Sequence, residues 1–103
     1  MSLSTHVLDM TLGVPAPNVP VTLQRSTGDS WVHVARGDTD ERGRLYDWVG
    51  PGALVPGRYR MVFQTAGDFL PEVVVVFTVA TTDEHLHIPL LLGPYGYTTY
   101  RGN

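Results

Sequence analysis

The sequence contains no cysteine and no lysine. Without cysteine there can be no disulfide, no thiolate nucleophile and no thiolate metal site, a composition compatible with a reducing compartment. Every basic residue is an arginine: Arg25, Arg36, Arg42, Arg44, Arg58, Arg60 and Arg101, scattered among ten acids for a net charge of -3. No basic run exists to form the electrostatic footprint of nucleic-acid binding, so no nucleic-acid partner is expected. The start, Met1 to His6, has neither the basic nor the apolar region of a signal peptide. The longest apolar run, Val73 to Phe77, is far too short to span a bilayer. A soluble, cytoplasmic protein with no membrane partner is expected.

Helical periodicity is also missing, as are a Gly-x-Ser-x-Gly elbow, a P-loop and a dinucleotide fingerprint. What remains is a chain of 103 residues, 43% hydrophobic, enough for one cored domain over 1–103 but not for two. Short segments rich in Val, Thr, Tyr and Leu alternate with Gly, Pro and Asp clusters. Val19, Val21 and Leu23 alternate with polar neighbours, as do Tyr59, Met61 and Phe63. Val73, Val75, Phe77 and Val79 make a third apolar row. Further strands are predicted over Ser4–Met10, Trp31–Arg36, Arg44–Val49, His85–Leu92 and Tyr97–Arg101. About eight strands with no helical stretch predict an all-β, two-sheet antiparallel sandwich.

Candidate chemistry centres on histidine and arginine. His6 shares a strand face with Ser4 and Leu8; in isolation such a residue is read as a surface or hydrogen-bonded histidine. His85 and His87 project from one face of their strand while Leu86 and Ile88 project from the other. That pair fits acid–base chemistry near neutral pH, two ligands of a metal that lacks a third at any recognised spacing, or a structural role. Arg44 follows the turn Asp38–Gly43. It can pair with Asp40 or Glu41, or hold a planar, oxygen-rich ligand through its guanidinium fork. The last residues, Tyr97 to Asn103, carry two tyrosines in a strand-like run, which suggests a packed terminus.

Three stretches together resemble one family. Ser4-Thr5-His6-Val7-Leu8-Asp9 with Gly13-Val14-Pro15-Ala16 is similar to the start of 5-hydroxyisourate hydrolases, the transthyretin-like enzymes. His85 through Pro89, Leu90, Leu91, Leu92, Gly93, Pro94, Tyr95, Gly96 and Tyr97 resembles that family's His-x-His-x-Pro-Leu-Leu-Leu-Ser-Pro-Tyr-Gly-Tyr signature. Tyr100-Arg101-Gly102-Asn103 resembles its terminal Tyr-Arg-Gly-Ser. The likeness covers essentially the whole chain.

The resemblance implies a transthyretin-like sandwich and a homotetramer with active sites where dimers meet. It implies cofactor-free hydrolytic ring opening of 5-hydroxyisourate, a small molecule of urate catabolism. It assigns His6, Arg44 and His87 to catalysis, and Tyr100, Arg101, Gly102 and Asn103 to substrate binding, with no metal. Transthyretin itself, a hormone carrier, has these histidines and the tail replaced, which favours the enzyme over a non-catalytic small-ligand carrier, the alternative. Asn103 stands where the family has serine, Gly93 where it has serine before Pro94, and Gln64–Pro71 is short. The family's usual helix in that last stretch is therefore expected to be absent, with a tight loop in its place.

Overall fold

The structure is a computed structural model and describes residues 2–81 and 84–103. Among them there is no helix, and hence none long and apolar enough to cross a membrane. Ten strands follow in order: β1 (Ser2–Asp9), β2 (Val14–Pro15), β3 (Pro20–Ser26), β4 (Trp31–Asp38) and β5 (Arg44–Leu45), then β6 (Gly57–Gln64), β7 (Glu72–Val79), β8 (His85–His87), β9 (Leu90–Leu92) and β10 (Tyr97–Thr99). One sheet runs β4-β3-β6-β7 and is antiparallel throughout. The other is built around β1, which pairs with β2 and β5 on one side and with β8 and β9 on the other; β10 closes it beyond β9.

Alternation makes the core. Val21 and Leu23 from β3, Tyr59, Met61 and Phe63 from β6, and Val73 and Val79 from β7 all point inward and are buried. Leu3 and Val7 from β1, Leu86 from β8, Ile88 and Leu90 meet them from the opposite sheet. The three period-two rows of the sequence are thus the inner face of one sheet of a sandwich, and Leu3, Val7, Leu86, Ile88 and Leu90 supply the face opposite. The buried hydroxyls are paired. Tyr59 donates to the Val55 carbonyl at 2.7 Å and accepts from its N–H at 2.9 Å. Thr39 donates to Ala16 O and accepts from Val19 N, so among the described residues burial leaves no side-chain polar atom orphaned.

Several predicted strands are subdivided. His85–Leu92 breaks at Ile88-Pro89, because proline has no N–H to continue the ladder. Arg44–Val49 keeps its strand only at Arg44–Leu45; Asp47 then turns to a φ of 56° and Trp48 swings its indole to Leu3 O at 3.0 Å. Tyr97–Arg101 ends at Thr99, whose hydroxyl caps Pro89 O. Within the β1 sheet, β1 runs parallel to β8 and β9. Residues 65–71 form the expected loop between antiparallel β6 and β7, where the Thr65 and Ala66 N–H groups both meet Pro71 O.

The turn before β5 sets where Arg44 emerges. Asp40 accepts the N–H groups of Arg42 and Arg44 at 2.8 and 2.9 Å. Gly43 lies at φ 75°, and a Cβ there would sit 2.4 Å from Val7 O, a backbone atom of β1. Only glycine fits, on both counts. Gly43→Ala should therefore destabilise the protein by about 2 kcal/mol or more, read as a fall in the urea midpoint at unchanged m-value.

Candidate active site

The candidate site lies on the outer face of the β1 sheet and follows from its register. Antiparallel pairing sets His6 opposite Arg44, and parallel pairing sets Ser4 beside His87 and Ser2 beside His85. Directly opposed residues carry Cβ atoms about 5 Å apart. Residues about 40 and 80 positions apart in the chain are thereby gathered on one face, while Thr5, Val7 and Leu86 turn to the other and are buried.

A cleft of about 250 Å³ opens there, lined by Ser4, Arg44, Tyr46, His85, His87 and Asn103 together with Thr5. His6 lies on the same face beside the cleft, half-buried, with its Nε2 2.9 Å from the Arg42 carbonyl. A carbonyl oxygen only accepts, so Nε2 carries a hydrogen, and in the neutral ring Nδ1 of His6 holds the free lone pair. The tail closes on His87: Gly102 N–H donates to His87 O at 2.7 Å. A Cβ on Gly102 would stand 2.7 Å from Cδ2 of the His87 ring, so glycine is what lets the tail lie against the imidazole.

The other two tail residues go elsewhere. Tyr100 and Arg101 line a separate, mostly apolar groove of about 180 Å³ with Val75, Phe77, Leu86 and Ile88, and Arg101 forms an ion pair with Glu84. In the single chain the structure brings together His6, Arg44, His87, Gly102 and Asn103, and leaves Tyr100 and Arg101 outside that cleft. The sequence reading does not single out Ser4 or Tyr46 as site residues. For Ser4 the signal is the strand period, since it lies two positions from His6 and shares its face; Tyr46 follows the end of β5 and is placed only by the cleft it lines.

Electrostatics favour a neutral imidazole. His87 is held below the usual histidine range, first by burial and then by the charges of Arg44, His85 and His6. Asp40 is held below the usual carboxylate range, chiefly by the Arg44 backbone N–H, with the Arg42 N–H and both guanidinium charges adding to it. Among the described residues neither Asp40 nor Glu41 forms an ion pair with Arg44. Asp40 shapes the turn through the backbone and leaves the guanidinium to the cleft. Among the described residues no three His, Asp or Glu side chains converge as a metal site.

The model of the HIUase/Transthyretin family matches residues 3–102. The 5-hydroxyisourate hydrolase of Salmonella dublin is 41% identical over 98% of this chain and 80% of its own length. That of Caulobacter vibrioides is 40% identical over 98% of this chain and 97% of its own. Among solved structures, the Klebsiella pneumoniae 5-hydroxyisourate hydrolase superposes with a TM-score of 0.85 at 30% identity, covering 100% of both chains. Sea bream transthyretin in complex with thyroxine superposes with a TM-score of 0.90 at 29% identity, covering 97% of this chain and 93% of its own. The chain belongs to the HIUase/Transthyretin family.

Two measurements check the local geometry. The folded state binds a proton at His87 more weakly than the unfolded chain does. Its contribution to stability is therefore complete above about 6.5 and declines as the pH falls from there toward the lowered value. A side-chain NMR titration should place the His87 midpoint below 6.5; a midpoint at or above it contradicts the burial and charge argument. Gly102→Ala should displace the ring, seen as changed His87 ring shifts, while the core methyl signals stay in place.

Proposed function

We propose that this member of the HIUase/Transthyretin family hydrolyses 5-hydroxyisourate, opening its six-membered ring in urate catabolism. One observation carries the reading to particular residues. The register of β1 sets two imidazoles and a guanidinium on one sheet face, His87 and Arg44 lining a cleft and His6 beside it. The sandwich core alone would support a carrier equally well, since sea bream transthyretin shares it. The outward residues distinguish the two.

The chemistry is attack by water on a ring carbonyl. His6, through its free Nδ1, and His87 position the water, and His87 in its neutral form takes the proton. Arg44 presents its fork to the substrate's oxygens and stabilises the negative charge that develops on the attacked carbonyl. Collapse breaks the ring C–N bond and returns a proton to the departing nitrogen, giving a ring-opened carboxylate. Asn103 lines the pocket while Gly102 holds the tail against His87, and water is the only co-reactant.

We further propose a cytoplasmic homotetramer whose sites lie where two dimers meet, with Tyr100 and Arg101 brought into the pocket by assembly. Support comes from the apolar side chains left in solvent on the β1–β2 and β9–β10 turns: Leu12 is 72% exposed and Tyr95 79%. Such residues on adjoining loops suit an interface better than water.

The test follows ultraviolet loss of freshly generated 5-hydroxyisourate against its spontaneous decay. The parent protein should accelerate the loss, with activity flat near neutral pH and falling only below pH 6.5. His87→Ala should reduce turnover by about a hundredfold or more, the usual contribution of a general base. Arg44→Lys should also reduce it, because an ammonium cannot reproduce the planar fork. Near-normal turnover by His87→Ala in an intact oligomer would assign the base elsewhere. A monomer at micromolar concentration in sedimentation would remove the shared site.

A further inference from the structure

A chain of hydrogen bonds runs from the cleft to the surface behind His87. The Ser4 hydroxyl lies 2.8 Å from His87 Nδ1 and 3.0 Å from His85 Nε2. The other nitrogen of His85, Nδ1, meets the Ser2 hydroxyl at the exposed start of β1. The chain is a product of the sheet: in the parallel ladder Ser2 pairs with His85 and Ser4 with His87, so all four side chains stand in a row on one face. Ser4 is only 6% exposed, and its hydroxyl has no other partner among the described residues.

A hydroxyl has a single hydrogen to donate. If Ser4 donates it to His87 Nδ1, the neutral His87 ring carries its own hydrogen on Nε2 and has no lone pair left for the cleft. If Ser4 donates to His85 Nε2 instead, it accepts from His87 Nδ1–H, and His87 Nε2 is free to take a proton. The second arrangement requires His85 Nε2 to be unprotonated, hence His85 to carry its hydrogen on Nδ1 and give it to Ser2. The tautomer of the outer histidine thus dictates whether the inner one is a base.

We propose that Ser4 and His85 are positioning residues for the hydrolysis, holding His87 as the Nδ1–H tautomer with Nε2 open to substrate-bound water. The inference rests on the proposed hydrolase function. Nothing is consumed in the arrangement: when His87 takes the water proton on Nε2, its Nδ1–H still donates to Ser4, and both bonds of the serine persist. Of the groups around His87, Arg44 from β5, His6 from β1 and His85 from β8 disfavour its charged form; the Ser4 hydroxyl decides which nitrogen of the neutral ring is bare.

The test separates tautomer from activity. In the parent, nitrogen-15 NMR of the histidine rings should show His87 with hydrogen on Nδ1. His85→Lys puts a donor-only group at an exposed position, which turns the Ser4 hydroxyl toward His87. It should move the His87 hydrogen to Nε2 and lower kcat about tenfold or more, part of the 10²–10⁴ a general base contributes, with KM changed less than threefold. Ser4→Ala should release His87 to the same Nε2–H form, and Ser4→Thr, which keeps a hydroxyl, should restore both tautomer and kcat. Should Ser4→Ala fail to fold, His85→Lys decides alone. A parent His87 already in the Nε2–H form, or His85→Lys with unchanged tautomer and kcat, overturns the proposal. A parent inactive on 5-hydroxyisourate overturns the hydrolase reading instead, and the tautomer measurement stands apart from it.

Discussion

The seating of β1 between β8 and β5 is the constraint on which both the core and the cleft depend. This one strand meets residues about 40 positions away on one side and about 80 on the other. Its alternation sends Leu3, Thr5 and Val7 inward and Ser4 and His6 outward. A slip of one residue would exchange the two sets, burying an imidazole and exposing two core side chains. Pins from outside the ladder hold the register: Thr5 donates to Ile88 O at 2.6 Å, Ile88 N–H to Ser4 O, and Val7 N–H to Gly43 O. The forces that hold the sandwich together therefore also fix the spacing of the catalytic candidates to within a side chain's reach.

Most of this order was legible in the sequence because a strand's period is simple and its punctuation strong. Val21, Leu23, Tyr59, Met61, Phe63, Val73 and Val79 all show the alternation that buries them. Gly67, where a Cβ would lie 2.8 Å from Leu70 O, and Ala66 at φ 58° mark the tight loop between β6 and β7. Strand ends were less visible. Asp47 stops β5 through a backbone angle that its residue type permits but does not demand, and Pro89 interrupts a run whose apolar pattern continues without a break. The parallel partnership of β1 with β8 and β9 could not be read from local pattern at all, since alternation is the same in parallel and antiparallel strands.

The site was legible through its titratable residues and much less through the groups that organise them. His6, Arg44 and His87 stand out by type. Ser4 is an ordinary strand residue until the register shows which face it shares, and Tyr46, just beyond β5, shows nothing until the cleft is seen. Arg44 illustrates the limit: proximity in sequence suggests an ion pair with Asp40, whereas the carboxylate is occupied by the backbone N–H groups of Arg42 and Arg44. The acid shapes the turn, and the guanidinium is left for the cleft. An arginine neutralised by its neighbour would have lowered the cost of charging His87 and blunted it as a base at neutral pH.

The two faces of the β1 sheet answer to different demands, and their independence explains how one sandwich can serve either a carrier or a hydrolase. Inward residues must fill the space between sheets at near-crystalline density, a demand that exposed outward side chains do not share. Outward residues must instead agree with one another. A neutral His87 needs burial and a nearby cation, its bare nitrogen needs a hydroxyl oriented by a second histidine, and its ring needs a tail residue without a Cβ. Arg44, Ser4, His85 and Gly102 meet those conditions from four separate segments. Losing the exposed Arg44 or His85 side chain would leave the apolar core untouched and the cleft polar, fit to hold a small molecule and poorly equipped to activate water. In the proposed mechanism catalysis rests on coincidence of these outward positions, while the core requires far less of them.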